Sequence, residues 1–530
     1  MRKNKNKSHI AILVTVLFMV YGSSGAKAVT EKDYVDARTS GDTRRELEIT
    51  GEMIQEVRAP LELEVLMWRI FECSRHFSYT DTCLQLLQDC EKNDIAGTYP
   101  LLKDRARHLQ KRLLLLSGEA DKAMDIRNSM DTVVEYTLTD RTTGQEAPVV
   151  AAPSGLINIG SLTGEVGNNV YILETIIRSE KTKKCTLATG STGRLRIRIN
   201  GKTVLQDPAA HGFCEDQHIV KAILQKGENR VLINLKANRN GQCCFTLRNL
   251  SYRPGSSLPH ASINTEDAVP LEKFYSGYCL YWNGYADSQM MHHLLKDPAT
   301  VKLAPALCHF YTGLGESYTS REMQHLYHAA SLAMPEALLE YVKRLTEYNA
   351  VEPALRAVHT LQMNTVTPYT SMARSQILNT AGLYHLAMQE LDVLEEDGSC
   401  NRIYFLKGKT FARMGRYVSA GERYMKLLSN GGFLPVFIQS CARIQVLAGK
   451  SNEAETLLVR GVRCYPHAIE LYIALAGIYR DTGRLDMAMG TLLAARNKCS
   501  WNPKVQKELG KILNMMGHNR AAQRYLRDIE

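Results

Sequence analysis

Residues 401–530 repeat one pattern of small side chains every 34 positions, and this periodicity constrains the fold more than any other feature of the chain. Self-similarity at such a period is typical of a stacked array in which each unit packs on its neighbours. A small residue lets two helices cross closely, and glycine ends a helix in the left-handed conformation at little cost. The pattern therefore predicts consecutive helical hairpins. Its three columns are Gly408, Ala442, Ala476 and Gly510; Gly415, Gly449, Gly483 and Gly517; and Ala420, Ala454, Ala488 and Ala522.

The same spacing resembles the tetratricopeptide repeat (TPR), a pair of antiparallel helices joined by a tight turn. The clearest copy covers Leu471–Ala495, whereas Gln445 departs from the pattern because a large apolar residue is usual at its position. The resemblance implies an α-solenoid whose first helices line a concave groove. Its units would be 401–434, 435–468, 469–502 and 503–530.

Weaker copies extend the predicted array upstream. The helical period returns near Ala299, and Glu336–Leu361 and Ser371–Leu394 match the repeat at fewer positions. We therefore expect a TPR α-solenoid of five to seven units over residues 299–530.

The N-terminus has the three parts of a secretory signal peptide. Arg2–Lys7 is basic, Ile10–Tyr21 is an apolar run, and Ala26-Lys27-Ala28 is a small-x-small cleavage site. An apolar run of twelve residues is too short to span a bilayer comfortably. The sequence predicts cleavage after Ala28 and a secreted or periplasmic mature protein, with an uncleaved membrane tether as the alternative.

The composition fits a folded, soluble, multidomain protein. The chain has 530 residues, enough for three or four domains, with 45% apolar and 23% charged residues. The net charge falls from +10 to +5 without the first 28 residues, which carry five basic and no acidic side chains. Without a basic block interleaved with aromatic residues, this charge gives no reason to expect a nucleic-acid partner. The 13 cysteines show no scaffold spacing, so we expect one or two disulfides at most, most readily in the β region.

Residues 29–130 are predicted to be helical and TPR-like. Leu61–Phe71 and Thr82–Cys90 carry apolar residues at helical spacing, and Gly118 is followed by alanines spaced as in the later repeats. Cys83 and Cys90 share a helix face but lie about 10 Å apart along the axis, too far for one metal ion. We expect these cysteines to pack in a core.

Residues 131–255 change to the period of two that is typical of strands. Leu195, Ile197 and Ile199 alternate with arginines, and Asn200-Gly201 follows as a hairpin signal. Several short strands with turns at this spacing favour an antiparallel β-sandwich, which makes the whole chain a multidomain α + β protein.

This β region resembles the galactose-binding-like jelly roll of bacterial envelope proteins. The resemblance lies in Gly190–Gly193, in Arg196–Lys202, in Leu224–Ile233 and in Cys244–Arg248. It implies the fold more than a ligand, because most matching residues are structural. The acidic pair usual after the glycine-serine loop is replaced here by Thr192-Gly193, which argues against the calcium or sugar binding that the resemblance would imply.

Two features suggest a carbohydrate surface. Arg194, Arg196 and Arg198 project from one face of a strand, and Tyr281 and Trp282 belong to an aromatic cluster in the predicted linker 256–298. Arginines can bind an anionic polysaccharide, and aromatic rings can stack on sugars. The alternatives are a solvated outer face for the arginines and a sealed domain junction for the aromatic residues.

The chain lacks recognisable catalytic motifs, including G-x-S-x-G, H-E-x-x-H, the P-loop and G-x-G-x-x-G. Glu322, His325 and His328 have a helical spacing, with Cys308 and His309 upstream, but one Glu-x-x-His motif alone rarely forms a metal site. We expect neither a cofactor nor a metal, and no enzyme.

Residues at the inward positions of the TPR first helices predict a basic groove for a protein or an acidic peptide. An ordinary solvated inner face is the alternative. The predicted groove residues are Arg402, Lys409, Arg413, Gln439, Arg443, Arg480, Lys507 and Lys511.

The sequence therefore favours a non-catalytic envelope scaffold that binds a protein through the TPR groove. One alternative is a carbohydrate-binding protein that acts through the β-sandwich. Another is a remnant of larger proteins that this architecture resembles, in which TPRs and a sandwich precede a transglutaminase-like domain. The apolar face of the last repeat, with Leu513, Leu526 and Ile529, also predicts self-association.

Overall fold

The computed structural model describes residues 30–57, 59–74, 79–164, 169–208, 213, 215–237, 243–250, 305–315, 320–332, 334–361, 368–394 and 401–527. The predicted signal peptide 1–28 and the predicted linker 256–298, with Tyr281 and Trp282, lie outside these residues. Among the helices of the described ranges, none combines the length and the apolar character that a membrane span needs.

The N-terminal part is helical, and its second half is built like a repeat hairpin. Gly118 adopts a φ of 76° after α6, and its N–H donates to the carbonyl of Leu115 at 2.9 Å. Cys73, Cys83 and Cys90 are all buried in one hydrophobic cluster. The helices are α1 (Glu31–Ser40), α2 (Thr43–Glu56), α3 (Pro60–Ser74), α4 (Thr80–Lys92), α5 (Asp94–Thr98), α6 (Pro100–Leu116) and α7 (Ala120–Ser129).

The β region forms two antiparallel sheets. Within the described residues, the six-stranded sheet has the order β2-β1-β4-β9-β6-β7 and the four-stranded sheet has the order β3-β10-β5-β8. The elements are β1 (Glu135–Asp140), β2 (Glu146–Val150), β3 (Ile157–Asn158), α8 (Ile159–Thr163), β4 (Val170–Ser179), β5 (Lys183–Ser191), β6 (Arg194–Ile199), β7 (Lys202–Asp207), β8 (His218–Leu224), β9 (Gly227–Lys236) and β10 (Cys244–Leu250).

Alternating burial gives each sheet an inner face. Tyr136 of the six-stranded sheet packs edge-on against Phe245 of the four-stranded sheet, with ring centroids 6.2 Å apart. The hairpin between β6 and β7 turns through Asn200 and Gly201, whose φ values are 50° and 82°. Positive φ at both turn residues is what a type I′ hairpin turn requires, and the Asn-Gly pair meets this requirement.

The C-terminal part is an array of helical hairpins. The left-handed turn residue recurs at Asn349, Gly382, Gly415, Gly449, Gly483 and Gly517, all with φ between 56° and 82°. Asparagine tolerates this conformation better than most side-chain-bearing residues. The helices are α9 (Pro305–Gly315), α10 (Ser320–Ser331), α11 (Pro335–Glu347), α12 (Val351–Leu361), α13 (Pro368–Thr380), α14 (Tyr384–Asp392), α15 (Arg402–Arg413), α16 (Tyr417–Ser429), α17 (Pro435–Leu447), α18 (Ser451–Cys464), α19 (Ile469–Asp481), α20 (Leu485–Lys498), α21 (Pro503–Met515) and α22 (Asn519–Arg527).

The N-terminal helices pack against the array at the N-terminal ends of the first helices of its hairpins. Arg38 forms a buried ion pair with Glu336 at the start of α11. Gly41 lies against the ring of Tyr369 at the start of α13, so closely that an added Cβ would come within 2.5 Å of a ring carbon. Farther along, the N–H of Phe433 donates to the carbonyl of Leu116 at 2.8 Å.

The β region continues this edge in the same order. His467, just before α19, hydrogen bonds to the backbone of Val150 and Asn158. Asn502, just before α21, donates from its side chain to the carbonyl of Leu162 at 2.8 Å. Residues 38–162 therefore run alongside residues 336–502 in the same direction. Residues from the first half of the chain contact the loops between the helical hairpins.

The expected disulfides are not found in the described part of the β region. Cys185, Cys243 and Cys244 are free thiols there, whereas Cys214 lies outside the described residues. Seven further cysteines of the described residues are also free, and all seven are buried. Cysteine here acts mainly as a small apolar side chain.

Candidate partner-binding surface

The first helices of the array present the predicted groove residues. We call the exposed side of α11, α13, α15, α17, α19 and α21 the first-helix surface. The second helices pack behind it on small residues: a Cβ at Gly408 would lie 3.1 Å from the ring of Tyr424 on α16. At the last hairpin, a Cβ at Gly510 would lie 2.8 Å from Leu526. Glycine at this column therefore allows the close approach of the two helices in the first and the last of these four hairpins.

One end of the surface is neutralised by its own carboxylates. Nη1 of Arg402 donates to Oε1 of Glu340 at 2.8 Å, and Nζ of Lys343 lies 3.2 Å from Oε2 of the same carboxylate. Burial alone would raise the pKa of Glu340, but the two cations lower it to about 2. Arg402 is therefore occupied by a structural ion pair.

The C-terminal end is neutralised in the same way. Nε of Arg480 lies 2.8 Å from Asp481, and its Nη1 lies 3.7 Å from Glu508. Lys511 donates to the same Glu508 at 2.6 Å. Two of the predicted groove cations thus share acidic partners on their own surface.

The middle of the surface carries a cluster of cations that the described carboxylates do not pair. Lys409 and Arg413 lie one turn apart on α15, and Arg443 lies on the neighbouring α17. Partial burial lowers the pKa of Lys409, and Arg413 lowers it further, while Glu347 acts in the opposite direction. Within the described residues, Lys409 and Arg443 form no ion pair, and Arg413 donates to the carbonyl of Asn379. We call Lys409, Arg413 and Arg443 the central cation cluster.

Two members of this cluster influence the hydroxyl of Tyr424 electrostatically. Burial raises the pKa of the Tyr424 hydroxyl to about 12, and the charges of Arg443 and Arg413 oppose that rise. The two arginines belong to adjacent repeats, so their charges reach the same hydroxyl from two helices.

Exposed apolar side chains flank the cluster on α17. Val436 is 61% exposed and Leu447 is 52% exposed, at the two ends of the helix that carries Arg443. Gln439 on the same helix and Lys507 on α21 are exposed as well. The surface can therefore offer a partner positive charge, an amide and apolar contacts.

Sequence reasoning overlooked the acidic residues of the surface. Glu508 could have been found, because it lies three positions before Lys511 on a helix, where side chains are neighbours. The pairing of Arg402 with Glu340 spans 62 positions and depends on how the units stack, so no local pattern announces it.

The arginine strip lies on the outer face of the six-stranded sheet. Arg194 is exposed, and Arg196 and Arg198 are partly exposed, while the residues between them are buried. The proposed aromatic contributors Tyr281 and Trp282 lie outside the described residues, so the structure does not bring them to this strip.

The histidines of the first described hairpin are engaged with their neighbours. Nδ1 of His309 lies 3.0 Å from Nδ1 of His325, and the carboxylate of Glu322 pairs with Arg344 at 2.9 Å. Across the described residues, no group of three His, Cys, Asp or Glu side chains is arranged to hold a metal ion.

Comparison with known proteins gives only distant structural likeness. No family model matches the chain, and no curated protein matches it. Solved structures with similar arrangements include MamA of strain AMB-1, at 16% identity over 31% of this chain and 89% of MamA, with a TM-score of 0.26. A TPR protein from Parabacteroides merdae matches at 15% identity over 46% of this chain and 99% of its own, with a TM-score of 0.31.

Human IFIT1, solved as a dimer with PPP-AAAA, matches at 13% identity over 48% of this chain and 71% of its own, with a TM-score of 0.31. These neighbours include TPR proteins, in keeping with the helical hairpins described above. At such TM-scores they carry no inference about function, and the repeats are established by the recurring left-handed turns.

Proposed function

We propose that this chain is a non-catalytic scaffold that binds a protein partner through the first-helix surface. The observation that carries the proposal is the central cation cluster, which forms no ion pair with a described carboxylate. Toward the two ends of the same surface, Arg402, Arg480 and Lys511 are paired with carboxylates. A partner segment with acidic side chains would form charge-assisted hydrogen bonds with Arg413 and Arg443. Apolar side chains of that segment would cover Val436 and Leu447.

The basic, apolar and small-x-small parts of residues 1–28 support a secreted or periplasmic location. The resemblance in Arg196–Lys202 and Leu224–Ile233 supports a galactose-binding-like sandwich for the β region, inserted between the N-terminal helices and the TPR solenoid. In this proposal the β region and the N-terminal helices brace the loops of the array, so that the first-helix surface is held in a fixed shape before a partner arrives.

The test is a crosslinking pull-down from the extracytoplasmic fraction with the mature chain as bait. The groove variant combines Lys409→Glu and Arg443→Glu. The matched control combines Arg520→Glu and Arg524→Glu, two exposed cations on the second helix of the last hairpin. Both variants change the net charge equally, and circular dichroism checks that both fold.

A protein recovered by the wild type and the control, but lost from the groove variant, supports the scaffold. Equal recovery by all three baits contradicts the assignment of the central cation cluster. Loss from both variants indicates non-specific charge attraction, which also contradicts it. The partner recovered by the wild type is then tested as a purified protein for direct binding.

A further inference from the structure

The outer face of the six-stranded sheet carries a second group of cations, far along the chain from the first-helix surface. Arg194, Arg196 and Arg198 of β6 point to this face, because Leu195, Ile197 and Ile199 between them are buried. Lys236 of β9 lies directly opposite Arg194 in the antiparallel register. We call Arg194, Arg196, Arg198 and Lys236 the sheet-face cations.

One pair among these cations is unfavourable without an anion between them. Like charges directly opposite each other on neighbouring strands destabilise a sheet. Arg194 and Lys236 are such a pair, and within the described residues none of the sheet-face cations forms an ion pair. Such a concentration of positive charge is expected where an anion binds.

At the other end of the same sheet, the cations of the outer face are paired with carboxylates. Arg230 of β9 forms a two-pronged pair with Glu174 of β4, through Nε and through Nη2, the latter at 2.7 Å. Arg178 pairs with Glu228 at 2.9 Å. Charge is therefore balanced on β4 and the first half of β9, and left unbalanced on β6 and the end of β9.

Several cross-strand neighbours of Arg196 and Arg198 are uncharged hydrogen-bonding side chains. Asn234 of β9 and Gln206 of β7 lie on either side of Arg196, and Thr203 of β7 lies opposite Arg198. Amides and hydroxyls can both donate to and accept from sugar hydroxyl groups. Alternate residues of a strand are about 6.6 to 6.8 Å apart, so the arginines form a regular row.

We propose that the sheet-face cations bind a linear polysaccharide that carries carboxylate groups, such as a polyuronate. The planar guanidinium of each arginine presents paired N–H donors that fit a carboxylate. The amides beside Arg196 reach the hydroxyl groups of the sugar rings. A single-stranded nucleic acid fits less well, because it needs aromatic stacking, and Tyr136, Tyr171 and Phe245 of the described strands are buried.

This site is independent of the proposed scaffold surface, and the two are tested separately. The full mature chain is titrated with polygalacturonate, neutral dextran, poly-glutamate and an oligo-dT of similar length. The strip variant combines Arg194→Gln, Arg196→Gln and Arg198→Gln. The matched control combines Arg178→Gln, Lys226→Gln and Arg230→Gln, which removes three exposed cations from the balanced end of the sheet.

The proposal expects the wild type to bind polygalacturonate and not dextran, with at least about tenfold weaker binding by the strip variant. The control is expected to stay within about twofold of the wild type. If the strip variant binds polygalacturonate as tightly as the wild type does, the proposed site is wrong. The site is also wrong if the control loses as much affinity as the strip variant. Equal affinity of the wild type for poly-glutamate or oligo-dT overturns the assignment to a polysaccharide, as does failure to bind polygalacturonate.

Discussion

Nδ1 of His467 accepts the backbone N–H of Asn158 at 3.2 Å, which joins the loop before α19 to the β region across 309 positions of sequence. The opposite ring nitrogen, Nε2, donates to the carbonyl of Val150 at 2.8 Å. One neutral imidazole thus serves two backbone groups at once. This arrangement fixes the tautomer, because a proton on Nδ1 would face another N–H donor.

We predict that acid weakens this contact before it unfolds the array. Burial lowers the pKa of His467 to about 4, and the charge of Lys498 acts in the same direction, while the hydrogen bond to Val150 opposes the shift. A folded pKa below the unfolded value of about 6.5 means that this histidine's stabilising contribution is complete above pH 6.5 and is lost as the pH falls towards 4. The loss is about 3 kcal/mol.

The measurement is urea unfolding of the wild type and of His467→Gln at several pH values between 7 and 4. The variant should be less stable at pH 7, and the difference between the two proteins should shrink as the pH falls. A difference that stays constant over this range would show that His467 is not held neutral in the folded state.

A second prediction concerns the turn glycines. Gly41 and Gly382 share a φ of 79°, but only Gly41 is covered, by the ring of Tyr369. Gly382→Ala should cost about 1 to 2 kcal/mol of unfolding free energy, since alanine is strained in the left-handed conformation. Gly41→Ala should cost clearly more, because the methyl group also pushes the ring away.

The check is thermal and urea unfolding of both variants, together with Tyr369→Ala and the Gly41→Ala/Tyr369→Ala double variant. Removal of the ring should relieve the extra cost of Gly41→Ala, giving a coupling energy between the two positions. Equal costs for Gly41→Ala and Gly382→Ala would argue against this packing of the N-terminal helices.

The repeats could be predicted from sequence because their turns are local. A left-handed residue needs glycine or asparagine whatever the rest of the chain does, so Gly415 and Gly517 mark their turns independently. The Asn200-Gly201 hairpin is predictable for the same reason. The docking of the first half along the array could not be predicted, since contacts such as Leu116 with Phe433 have no sequence period.

The candidate surface was predictable in part. The repeat register predicts which cations lie on the surface. Whether each cation is paired depends on which carboxylates the stacked units place beside it. Arg402 meets Glu340 two units upstream, whereas Arg443 meets no described carboxylate. The expectation of disulfides in the β region rested on the predicted compartment, while the described cysteines there are placed by packing.

A third prediction follows from the burial of the thiols. Of the ten described cysteines, only Cys185 and Cys244 are partly exposed, and burial raises the pKa of both Cys83 and Cys244 to about 12. Native alkylation with iodoacetamide at pH 8 should therefore modify Cys185 well before Cys83. Mass spectrometry of a time course, with a denatured sample as the reference, measures the order; comparable rates for Cys83 and Cys185 would contradict the structure.

The last prediction concerns a buried charge network between α6 and the β region. Arg248 of β10 pairs with Asp216 and, at 2.8 Å, with Asp104 of α6, while His108 lies 2.9 Å from Asp216. Burial alone would raise the pKa of Asp216, but Arg248 and His108 lower it well below its usual range. Arg248→Met would leave two buried carboxylates without their main cation. We expect a loss of about 3 to 5 kcal/mol in unfolding free energy.

The matched control is Arg178→Met, which breaks the exposed pair with Glu228 on the six-stranded sheet. Exposed pairs contribute about 0 to 1 kcal/mol, so this variant should unfold like the wild type. Urea unfolding at pH 7 distinguishes the two. The penalty comes from ionised carboxylates, so the stability difference between Arg248→Met and the wild type should become smaller as the pH is lowered. A difference that does not change with pH would mean that Arg248 stabilises the protein by packing and not by its charge.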